Sequence, residues 1–209
     1  MPYGYLGQTT PNQLASNSGV LSMSDVESLN KQGKLGGSLE HIKTENPSSS
    51  AAVNFLSIKE SKYDIHLIQF LVKPDGDGTT QIRFSTNGGT TWVATGYDYA
   101  MDLSDSLGNP NTANNVNGTS IDWIAGNGGA TAGEFHTGYC YLYHLGNSNK
   151  YSYVISNSFS QDTGANGLRM NGGGCYPVAN TVNAIQFTNS VSTFSGVVKL
   201  FGVKNLWVL

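Results

Sequence analysis

The stretch TGYCYLYHLGNSNKYSYVIS, residues 137–156, decides the fold. Tyr139, Tyr141 and Tyr143 share one parity, and Tyr151 and Tyr153 follow a Gly146-Asn-Ser-Asn149 turn. Alternation of period two marks half-buried strands, and a short Gly/Asn segment between two such runs marks a hairpin. The same alternation sets Ile82 and Phe84 against Gln81, Arg83 and Ser85. Further strands are predicted over 51–56, 63–72, 91–97, 120–125, 137–145, 182–188 and 196–203. Turns are expected at 75–78, 87–89, 146–149 and 171–174, each rich in Gly with Asn or Asp. About nine strands with no helix between them exclude a βαβ fold. The economical solution is an all-β, antiparallel two-sheet sandwich of jelly-roll type.

Composition agrees. Only 12% of the 209 residues are charged, against roughly 25% in an ordinary domain. Polarity comes from Gly, Ser, Asn and Thr, and the 26 glycines suit short strands with tight turns. Net charge is −3 and the 11 Lys and Arg are scattered, so neither a nucleic-acid nor a membrane partner is expected. No apolar run nears the ~18 residues of a membrane span. Met1-Pro-Tyr-Gly-Tyr5 has no basic n-region or apolar h-region, so synthesis and folding in a cytoplasm are expected. Cys140 and Cys175 are read as two free thiols or one bridge between neighbouring strands.

Residues 1–38 read differently from the sandwich expected over 39–209. They are poor in apolar groups, apart from Val20, Leu21 and one short amphipathic helix. Ser24 and Glu27 form its capping box, Val26 and Leu29 share a face, and Gly33 is its stop. So short a helix must dock, on its own sandwich or on another subunit. The segments 103–118 and 126–133 read as long loops, either binding loops or plain connections.

Chemical motifs are sparse. Ser85-Thr-Asn-Gly-Gly-Thr-Thr-Trp92 resembles the sialidase Asp-box, S-x-D-x-G-x-T-W, with Asn87 in place of Asp. Its logic is a hairpin: Asn87 and Gly89 accept left-handed turn geometry, the Ser85 and Thr91 hydroxyls tie the backbone, and Trp92 packs beneath. A single copy, with few arginines, points to folding and not catalysis. His41, His66, His136 and His144 lack metal-ligand spacing, and Asp75-x-Asp77 lacks the remainder of a calcium loop. No metal or cofactor is expected, and no carboxylate pair is spaced for glycoside hydrolysis. The five tyrosines, placed on one hairpin face, admit three readings: a core face, a subunit interface, or a glycan platform.

Several segments resemble jelly-roll domains of phage tail-fibre and related virion surface proteins, of the marine podophage style. These are Ile82 to Trp92 followed by Tyr97-Asp-Tyr-Ala100, and Phe194 to Val203, where Phe201 stands for a more usual Tyr. The stretch Gly19 to Gly33 and the opening Gly4-Tyr-Leu-Gly-Gln8 are similar to attachment regions in such proteins. The resemblance implies a non-enzymatic virion structural protein, assembled in the host cytoplasm and displayed on the virion surface. It further implies docking on other virion proteins through the arm, a homotrimer, and contact with a host cell-surface glycan or protein. A tail-fibre role in host recognition leads. Capsid decoration by a cement or head-fibre protein is the alternative, and a polysaccharide depolymerase is the remote one.

Overall fold

The computed structural model describes residues 38–204 except 129, 130, 132, 163 and 165, together with Glu27. The chain divides into two units, 1–39 and 40–209. In the first, Glu27 is helical. Val20, Leu21, Val26 and Leu29, and the capping box apart from Glu27, lie outside the described residues.

The described residues hold twelve strands: β1 (Leu39–Glu45), β2 (Ala52–Phe55), β3 (Ile65–Pro74), β4 (Gly78–Ser85), β5 (Tyr97–Asp105), β6 (Pro110–Gly118), β7 (Ile121–Gly128), β8 (His136–Tyr143), β9 (Ser152–Gln161), β10 (Gly167–Tyr176), β11 (Ala184–Asn189) and β12 (Phe194–Val203). They form two sheets, ordered β1-β12-β3-β8-β9-β10-β5-β6 and β2-β11-β4-β7. The paired registers are antiparallel. Setting aside β5, β6, β9 and β10 leaves two four-stranded sheets with jelly-roll order. The fold is thus a jelly-roll-like sandwich in which two inserted hairpins, β5–β6 and β9–β10, widen one sheet to eight strands.

The core lies between the sheets, where Ile68, Phe70, Cys140, Leu142, Val198 and Leu200 meet Val53, Phe55, Ile82, Phe84, Ile185 and Phe187. Phe70 and Phe187 join the layers with ring centroids 5.1 Å apart. The widened part is closed from inside by β7, which packs on β5, β9 and β10. Two side chains secure it. The Ser160 hydroxyl donates to the Gly126 carbonyl at 2.8 Å, and the Tyr97 hydroxyl accepts the Phe84 N–H at 2.7 Å.

Four sequence expectations need correction. The segment 171–174 is not a turn but the middle of β10, because a run of glycines lets the strand lie tightly between β9 and β5. A Cβ on Gly172 would stand 2.3 Å from the Ala100 carbonyl oxygen. Residues 103–118 are mostly the β5–β6 hairpin, whose outer strand is so polar that it carries little alternation: seven of its nine residues are exposed. Residues 91–96, expected as strand, are irregular, with a bond from Val93 N–H to the Phe84 carbonyl at 2.9 Å. The segment 126–133 begins inside β7. Both cysteines are free. Cys140 faces the core while Cys175 lines the opposite face of the same sheet, so the two thiols cannot meet.

Two histidines are sealed in the interior. The His66 Nε2–H donates to the Ile58 carbonyl at 2.8 Å, and His136 Nδ1 shares a 3.0 Å bond with the Thr80 hydroxyl. Burial lowers both imidazoles, His136 to about 4. An unfolded chain binds these protons near pH ~6.5, so the neutral rings favour the fold above that value. Stability is therefore expected to fall as pH drops from about 6.5 towards 4. Urea midpoints across that range would show the decline, and His136→Gln would lessen it, leaving the share of His66. Gly172→Ala is expected to destabilise by about 3 kcal/mol, because the obstacle is backbone.

Candidate functional site

The outward face of the eight-stranded sheet gathers what the sequence singled out. Tyr139, Tyr141 and Tyr143 point outward from β8, and Tyr153 points outward from β9, where Tyr143 lies opposite it. The rings run as a ladder, with centroids 5.9 Å apart from Tyr139 to Tyr141 and 6.5 Å apart from Tyr141 to Tyr143. Tyr151 precedes β9 and is exposed. None of the five is in the core: Tyr141 and Tyr143 are partly buried, and the others are over 40% exposed.

The face extends beyond the tyrosines. Ile155 lies opposite Tyr141, and Phe159 lies opposite Thr137. Both are at least half exposed, and Leu71 of β3 adds another exposed apolar group. The outward positions of β8 and β9 hold Thr137, three tyrosines, Tyr153, Ile155, Asn157 and Phe159, without one charge. Among the described residues, the hydroxyls of Tyr139, Tyr141, Tyr143 and Tyr153 have no hydrogen-bond partner within the chain. Apolar rings with free polar tips suit adhesion to protein or sugar.

At one end the face dips into a hollow of about 640 Å³. Tyr143, Tyr153 and Ile155 wall it on one side, Asp98, Asn115 and Val116 on the other, and the bare backbone of Gly173 lies between. His144 stands at its edge, 3.1 Å from the Asp64 carboxylate. Sequence reading missed this hollow because it placed Gly173 in a turn. The alternation that sets Tyr151, Tyr153 and Ile155 on one side would, carried on, have found Phe159, six residues beyond Tyr153.

The Asn87 motif lies elsewhere, in the loop after β4 of the smaller sheet, and its bonds are all structural. The Ser85 hydroxyl donates to Asn87 Oδ1 at 2.8 Å and accepts the Gly89 N–H at 3.0 Å. Asn87 Oδ1 accepts the Thr91 N–H at 3.0 Å, while its amide donates to the Thr91 hydroxyl at 2.9 Å. Gly88 and Gly89 both take positive φ, and partly buried Trp92 lies against Gly89. A related device closes the two inserted hairpins. Asp105 caps its turn through Leu107 N–H, Asn109 N–H and the Asn109 amide, and Asp162 does so through Gly164 N–H, Asn166 N–H and the Asn166 amide. The Ser106 N–H donates to the Gly167 carbonyl at 2.8 Å and ties the two turns together.

Among the described residues, no cluster of three or more His, Cys, Asp or Glu could hold a metal ion. Among them, too, no helix is long and apolar enough to cross a membrane. Set against protein-family models, curated proteins and solved structures, the chain has no significant match to any of them. What fold and site define is a sandwich with an uncharged aromatic face.

Asn87→Ala removes three bonds from a loop that follows a core strand and is expected to destabilise by about 2 kcal/mol. Asn87→Asp keeps both acceptor bonds, and the Thr91 hydroxyl can turn to donate, so its denaturant midpoint should stay close to the parent's.

Proposed function

We propose that this chain is a non-enzymatic phage virion structural protein, fixed to the particle by residues 1–38 and displaying the sandwich as a homotrimer in a tail-fibre, host-recognition role. The observation that carries the binding role is the uncharged tyrosine face of β8 and β9. Monomeric proteins seldom leave a contiguous apolar patch beyond about 300–600 Å² to water, and larger ones mark contact surfaces. Adhesion is work a rigid sheet does well, since its side chains are ordered before the partner arrives.

The phage context rests on the resemblance of the segments around Trp92, Gly19–Gly33 and Phe194–Val203 to virion surface proteins. The arm's composition supports anchoring: it holds too few apolar groups to pack alone, so its order would come from what it docks on.

Two measurements test the proposal. Labelled protein imaged on intact particles should number a small multiple of six at the tail. Dozens to hundreds of copies on the shell would make it a capsid decoration protein, and absence from particles would end the virion assignment. Deleting residues 1–38 should leave a folded sandwich, by circular dichroism, that no longer enters particles.

A further inference from the structure

We infer that the occupant of the tyrosine face is another copy of this same chain, arranged around an axis parallel to the strands, with Lys199 of one copy set against Asp102 of the next. The inference rests on the binding role proposed above and names the partner.

Size comes first. From β12 to β5 the large sheet spans five inter-strand steps, and β3 gives it nearly ten residues of height, which is about 650 Å² before side-chain relief. That approaches the ~800 Å² that each partner gives to a standard stable interface. The surface is self-compatible at its centre, because β8 and β9 carry no charge on this face, while Arg169 of β10 and Lys73 of β3 stand to either side of that central pair.

The flanks then fix the arrangement. Register carries one row straight across the sheet: Lys199 opposite Gln69, Gln69 opposite Tyr139, Tyr139 opposite Asn157, Asn157 opposite Asn171, and Asn171 opposite Asp102. Lys199 and Asp102 thus sit at the same height on opposite flanks, about 24 Å apart. Neither makes an ion pair within the chain among the described residues. Rotation about an axis along the strands preserves height and brings the β12 flank of one copy against the β5 flank of the next. Each unpaired lysine therefore meets an unpaired aspartate, whether the ring holds two copies or three. An axis across the strands would instead set lysine on lysine. Opposed charges at an interface rim fix register in this way.

The test is sedimentation equilibrium of the full chain at micromolar concentration. The parent should be a closed oligomer. Ile155→Asp, at an exposed position that leaves the core intact, should raise the dissociation constant at least a hundredfold. Lys199→Asp and Asp102→Lys should each weaken assembly about tenfold, and the two together should restore it to within a few-fold of the parent. A monomeric parent overturns the inference, as does an oligomer indifferent to Ile155→Asp or charge variants whose losses simply add. A monomer that loses cell adsorption on Ile155→Asp would assign the face to a receptor and also overturn it. Particle labelling stands apart from these results: a protein missing from particles but oligomeric through this face would sink the virion assignment alone.

Discussion

An eight-stranded sheet cannot be covered by a four-stranded one, and this mismatch governs the molecule. The inner face of β8 and its neighbours needs a roof, which β7, the edge strand of the smaller sheet, supplies by packing on β5, β9 and β10. Such close approach demands small groups. Ser152, Ser156, Ser158 and Ser160 line the inward side of β9, and all are buried. Gly172 and Gly174 do the same on β10, where a Cβ would meet Met101 and Ile121 within 3 Å. Widening one sheet thus replaces bulky core residues with small ones along two strands.

The outer face follows from the same mismatch. Because β9 and β10 extend the sheet past the four core strands, aromatic groups on β8 lie near its middle instead of at its edge. A broad field of rings results, with the charges to either side of β8 and β9. Were the two hairpins absent, β8 would be an edge strand and its tyrosines a narrow rim.

How much of this could be read from residues varied with the strength of local signals. The tyrosine alternation and the turn at 146–149 were legible because one side of β8 and β9 is core and the other is not. The turn at 87–89 was legible from its Asn and Gly, although the left-handed geometry expected at Asn87 falls on Gly88 and Gly89, and Asn87 acts through its side-chain bonds. The errors at 171–174 and 103–118 share a cause: glycine and asparagine signal a turn only when nothing else explains them. In β10 the glycines answer to neighbouring backbone, and in β6 the asparagines answer to solvent on both sides. Tertiary packing, invisible in one dimension, decided both. The hollow beside Gly173 was lost for the same reason, and with it the place of Asp98 and Ala100.

With Pro110 at its start and Asn111, Asn114, Asn115 and Asn117 along it, β6 offers a visiting strand little hydrophobic purchase. Growth by adding sheet to sheet edge would be open-ended and would make fibres, whereas contact through a broad face can close upon itself and stop. Under the proposed self-contact through the sheet face, a polar β6 edge would keep assemblies finite in size.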